Sequence, residues 1–334
     1  MSIKLFESQN SSPSYPSTLY AWYEYTPAGI PPPRDGCWGF SVGGNDYITI
    51  GWNSPNITYN SVYRSTDNGN SWTQLSNAPF SGRHTVASYN LPNQGYLVGG
   101  DYFNFSVGGQ YAKDSWVYNG TTWTQKAANS GIGDRILMGA TYHNGAFYIV
   151  GGQVSRYIID GEYNNVLRST DNCVSFQEIA TTPFPGGNLW GAVASFKGKM
   201  WKVCGGFYDD VPPLSARTYP REIYSSNDGI TWTYEGMFPG QGRQYHQTIV
   251  WKDLLWVIGG VNTTNSPNTI NLRDTWYSPN GVDWTQLPIG TFVGLHAHTC
   301  WIGADGNLHS FGGSTNPGTL ETNKYFVLKN IISP

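Results

Sequence analysis

The chain has 334 residues, only 12% of them charged, while glycine (41), tyrosine (23) and tryptophan (14) are heavily used. This mixture excludes a protein of long helices, which needs more Ala, Glu, Lys and Leu, and suits short aromatic strands joined by tight turns. A net charge of −3 leaves no broad basic surface for nucleic acid, and no apolar run reaches the length that spans a bilayer.

The opening residues, MSIKLFESQNSSPSYP, lack the apolar core of a secretory signal, so export by that route is not expected from them. The composition is compatible with extracellular or virion-surface display. The first strand is expected at Ser17 to Tyr25, around Trp22. Further on, ITIGW ends an apolar strand at Gly51, and RSTDNGNSWTQL supplies a polar turn followed by Trp72. LVGG follows at Gly99, then Trp123. In the next unit Leu137 to Tyr142 reads as a strand of small residues, His143-Asn144-Gly145 as a turn, and Ala146 to Val150 as an apolar strand before Gly151. The polar turn then returns as RSTDNCVSFQEI, with Phe176 in the aromatic position. VCGG (Gly205) precedes SSNDGITWTYE (Trp232), VIGG (Gly259) precedes SPNGVDWTQL (Trp284), and SFGG (Gly312) leads to KYFVLKN.

Two markers therefore share one beat. The first glycines are 48, 52, 54, 54 and 53 residues apart, and the aromatics 50, 51, 53, 56 and 52. Each period holds hairpin signals for four strands. Small residues (Gly39, Ala87, Gly139, Ala140, Ala192, Ala194) cluster in the first strand, where symmetry mates crowd an axis. The second strand is an unbroken apolar run such as LLWVI, as expected when both faces are covered. The expected fold is all-β: a six-bladed β-propeller of four-stranded antiparallel blades, one domain over residues 1–334. Its last period ends before any polar turn, so residues 17–25 are expected to complete the C-terminal blade. Asp67-Asn68-Gly69 is read as a turn, with Trp72 packing between sheets. Cys37, Cys173, Cys204 and Cys300 lack zinc or redox spacing; three fall within expected strands, where thiols act as small core groups.

Glycine doublets after an apolar strand, with a later Trp, resemble the kelch repeat. STDNGNSW, STDNCVSF and SNDGITW are similar to the Asp-box of sialidase-like propellers. The resemblance spans essentially the whole chain, and six blades fit the kelch type best. Among six-bladed kelch enzymes, the bacterial sialic-acid epimerase (mutarotase) is the nearest functional analogue that the resemblance implies. No catalytic stretch of that enzyme can be matched here, and the arginine trio, Tyr–Glu pair and Asp of sialidases do not occur in order.

Counting back 16 or 17 residues from each first glycine gives Arg34, Arg83, Arg135, Asn188, Arg243 and His296. If the loops feeding each innermost strand share one face, these side chains ring a channel mouth and their forked donors suit an anion. The alternative is that these arginines bond loop carbonyls as a habit of the repeat. Loops after the glycines bring Trp52, Tyr102, Tyr157, Phe207 and Tyr208, aromatics suited to stacking on a saccharide. Glu162, Asp101 and His246 are the candidate proton-transfer groups. No metal or cofactor is expected, and the partner is read as an anionic small molecule or glycan. Three functions fit: a non-enzymatic lectin-like propeller, a cofactor-free epimerase or mutarotase of an acidic sugar, and a kelch-type scaffold for acidic peptides.

Overall fold

The structure, a computed structural model, describes residues 20–55, 57–102, 111–154, 161–207, 217–263, 270–315 and 321–331. Six four-stranded sheets follow one another along the chain, and all their pairings are antiparallel. Their first strands are Trp38–Val42, Ala87–Leu91, Gly139–His143, Val193–Phe196, Gln247–Trp251 and Thr299–Ile302. Residues from all six line a single axial cavity, so these are the innermost strands. Two-stranded ribbons, Trp52–Asn53 with Ile57–Thr58 and Val261–Asn262 with Ile270–Asn271, project beyond the second strands. Among the described residues no helix is long and apolar enough to cross a membrane.

Local chemistry explains the strand order. Asn144 and Gly145 both take positive φ, 45° and 82°, giving the tight hairpin between Gly139–His143 and Ala146–Val150. The inner strands demand small residues where neighbours press. A Cβ on Gly39 would stand 2.2 Å from the Trp301 ring of the adjacent blade. In the polar turn, Asp67 accepts the backbone N–H of Ser71 at 2.9 Å and its hydroxyl at 2.6 Å. The Ser71 hydroxyl bond also holds the Asp67 carboxyl below its usual range. Asp171 and Asp228 make equivalent bonds, and Asn280 does so in the fifth blade.

These turns deliver one aromatic per blade to the same place. Trp123 packs with the first blade, Phe176 with the second, Trp232 with the third and Trp284 with the fourth. Trp72 meets Trp301 and Tyr325 of the sixth blade, and Trp22 joins Trp256 and Tyr277 of the fifth. Each aromatic thus fastens its own blade to the preceding one. The four cysteines are buried free thiols. Only Cys300 lies within a strand, in Thr299–Ile302; the others fall at strand ends or in the third polar turn, where Cys173 takes φ 62°.

Closure is carried by the chain ends. The strand Tyr20–Tyr25 pairs with Tyr325–Asn330 from Tyr20 opposite Asn330 to Tyr25 opposite Tyr325, completing the sixth blade. Residues 17–19 of the expected strand lie outside the described residues. Trp22 donates Nε1–H to Thr275 Oγ1 at 3.0 Å and stacks 4.9 Å from Phe292. Trp22→Ala should therefore lower stability by about 3–5 kcal/mol in denaturant titrations. Deleting residues 1–25 should abolish the cooperative thermal transition followed by circular dichroism.

Candidate functional site

The arginines do not ring an opening. Arg34, Arg83, Arg135 and Arg243 are at most 2% exposed and sit inside their blades. Each sends Nη1–H to the carbonyl that ends the second strand, of Ile50, Gly99, Gly151 or Gly259, at 2.9–3.1 Å. The same guanidiniums then reach the start of the third strand. Arg83 and Arg243 fork onto Asp114 and Asp274, while Arg135 bonds Asn165 and Arg34 bonds Ser61. They tie strands together, so the expected anion mouth and the acidic-peptide scaffold both lose their donors.

Asn188 and His296 prove to be one residue out of step with the arginines. His84, Gln244 and His296 form bridges with Asp101, Val261 and Ser314, just past the glycine doublets, as Asp35 does with Trp52. Asn188 makes the corresponding bond to the Gly206 carbonyl at 2.6 Å. The positions equivalent to the arginines are thus Gly187 and Leu295. In the fourth blade a cation arrives from another strand. Lys202 lies 5.1 Å from the Phe184 ring, much as Arg83 and Arg243 lie 4.8 and 5.0 Å from Phe80 and Phe238. Burial pushes its ammonium down to about 8, against the opposing pull of Cys204 and Glu222.

The shifted ring faces the glycine-doublet loops, and its axial end is closed. Trp190 crosses it and donates Nε1–H to the Val86 carbonyl at 3.2 Å, with Ile136, Leu137, Tyr245 and Ala297 in the same apolar cluster. Asn188 accepts the Trp190 backbone N–H and donates to Gln244 Oε1. Gln244 also donates to the carbonyls of Phe207 and Thr218.

Several expected rim residues are structural. Phe207 is buried. Tyr102 lies 5.2 Å from the Arg83 guanidinium. His246 is wholly buried, donating Nε2–H to the Val203 carbonyl, and burial together with Arg243 lowers it to about 3. Asp101 is buried, and its carbonyl accepts from His84 Nδ1 at 3.2 Å. Trp52 and Glu162 are half-buried, Trp52 beside His84 at 6.3 Å and Glu162 bridged to Gln153. Tyr157 and Tyr208 lie outside the described residues.

His296 is the rim group with defined chemistry. It is half-buried, and its Nδ1 lies 2.7 Å from Asn271 Oδ1. Asn271 Nδ2 donates to the Ser314 carbonyl, which fixes the amide so that its oxygen faces the ring. Nδ1 therefore carries the proton, and Nε2 presents its lone pair. Burial, then the nearby Arg217 cation, lowers His296 to about 4, so it is neutral at pH 7. Arg217 and Asn271 escaped the sequence reading because they lie off the repeat's beat, Asn271 in the short ribbon that Ile270–Asn271 forms with Val261–Asn262. Among the described residues no group of three His, Cys, Asp or Glu side chains could hold a metal ion.

No family model matches the chain, and no curated protein resembles it closely enough to match. Among solved structures it is similar to YjhT, with a TM-score of 0.68 and 17% identity over 89% of this chain and 95% of that one. The likeness is to a widely used architecture, since 509 solved chains match. It therefore bears on fold and leaves activity to the site.

Arg243→Met leaves Asp274 without its fork and should cost about 3–5 kcal/mol in denaturant titrations. His246, His296 and His298 are all depressed, to about 3, 4 and 3. The unfolded chain takes up their protons below about pH 6.5 while the folded chain does not. Stability should hold above pH 6.5 and fall as pH drops from there to about 3, seen as a declining melting temperature. The six-bladed β-propeller architecture is thus established for this chain.

Proposed function

We propose that the protein is a cofactor-free mutarotase or epimerase acting on an acidic sugar at the rim around His296. The observation that carries this reading is the His296 imidazole, oriented by Asn271 and kept neutral by burial and then by the charge of Arg217. Mutarotation requires a base to take the proton of the anomeric hydroxyl as the ring C–O bond breaks. The ring oxygen is protonated by water, and closure on the other face of the carbonyl reverses both transfers. His296 Nε2 supplies such a base at neutral pH. Arg217 supplies the positive charge that a sugar carboxylate needs, in place of the arginines sealed within the blades. The repeats resemble those of kelch propellers, among which the sialic-acid epimerase is the nearest functional analogue.

A lectin-like reading rests on Trp52, a half-buried indole whose neighbour Ser54 donates its N–H to Glu321 at 3.0 Å. One experiment separates the two. Exchange NMR of N-acetylneuraminate should show anomer interconversion faster than in buffer. His296→Ala should reduce the acceleration by about 10²–10⁴-fold, and Arg217→Met should mainly raise KM. The rate should climb as pH rises through about 4 and stay level to pH 7, because the base works unprotonated. Binding without acceleration would favour the lectin, and neither binding nor acceleration would sink both.

A further inference from the structure

His296 is half-buried, so part of its ring meets solvent at the rim. Against it packs Tyr245, 7% exposed, with ring centroids 5.9 Å apart at 60°. Against Tyr245 packs Trp190, also 7% exposed, at 6.4 Å. Trp190 in turn lines the axial cavity of about 290 Å³, which reaches the exposed Asn90 and Tyr142 and so admits water from the opposite face. Two aromatic rings in series therefore separate that water from His296. The indole is firmly pinned. Its Nε1–H bonds the Val86 carbonyl across the axis at 3.2 Å, and its backbone N–H bonds Asn188. Gly191 follows at φ 75°, where a Cβ would stand 2.0 Å from the His246 carbonyl, so the loop lies directly on the fifth blade.

We propose that Trp190 and Tyr245 are positioning residues for His296: together they form a dry floor that keeps the water of the axial cavity from its ring. Burial, ahead of the Arg217 charge, is what disfavours the imidazolium. The burial of a half-exposed ring comes from its packed side, where Tyr245 stands in place of water. Cavity water reaching the ring would solvate the cation and return His296 toward an ordinary imidazole. The charged and titratable groups around it would stay as they are. Arg217 opposes its protonation from the loop of the fourth blade. His298, on the same strand, is itself held neutral by burial. Tyr245 belongs to the floor, while Asn271 and Ser314 carry no charge. Glu321, paired with Ser314, accepts the Ser54 N–H. The effect on catalysis rests on the mutarotase reading, whereas the floor itself does not.

The test reads the charge of His296 by side-chain nitrogen NMR of the full chain between about pH 5 and 8, with His296→Gln assigning its signals. At about pH 5 the wild type should be about one-tenth charged and Trp190→Ala at least half charged. Trp190→Phe keeps a ring, loses only the bond to Val86, and should behave as the wild type does. In the anomer-exchange assay the rate of Trp190→Ala should begin to fall below about pH 6, where the wild type is still level. An uncharged His296 in Trp190→Ala, or equal charging in Trp190→Phe, would overturn the proposal. Should Trp190→Ala fail to fold, Tyr245→Leu carries the same expectation and the same refutation. Leu137 already holds the corresponding left-handed position of the third blade, at φ 57° against 52° for Tyr245. A wild type that accelerates no exchange, while the charges run as stated, would remove the mutarotase reading and support the floor.

Discussion

The toroid rests on one non-covalent seam. Tyr20–Tyr25 lies along Tyr325–Asn330 in full register, and no disulfide among the four cysteines reinforces it. The backbone ladder sets direction and alignment, and Trp22 adds apolar burial by reaching past its own blade to the fifth. Without that strand the sixth blade would offer an unpaired edge beside the apolar faces of Phe326 and Leu328. Placement of every other residue, including those of the rim, presupposes this join.

Within the ring, cations act as internal fasteners. The carbonyls that end the second strands have no further ladder partner of their own, and a guanidinium satisfies them while bonding the next strand. The fourth blade shows what the position requires. It has glycine where the arginine would be, and Lys202 enters from the second strand to stand over Phe184 near the Glu222 carbonyl, 3.5 Å away. In five blades a positive charge stands over an aromatic ring, whichever residue carries it, while the sixth has Leu295 at the arginine position.

Architecture was legible because it is written twice, once in glycine doublets and once in the aromatics after the polar turns. Even the seam could be read, from a last period that stops short and a Trp22 that precedes the first. The site was much less legible, for three physical reasons. Counting back from the glycines took Asn188 and His296 as equivalents of the arginines, and a slip of one residue in a strand turns a side chain to the other face. Periodicity also located the arginines without saying which way they point, so an inward fastener looked the same as an outward donor. Finally, Arg217, Asn271 and Trp190 come from stretches of irregular length, where no period exists to mark them.

Trp190 has a topological consequence. With its indole lying across the axis, the toroid has no bore, and the molecule is a stopper rather than a conduit. Solutes on its two faces never mix through the centre. Any influence of one face on the other must be mechanical, passed along the blades and their aromatic fasteners.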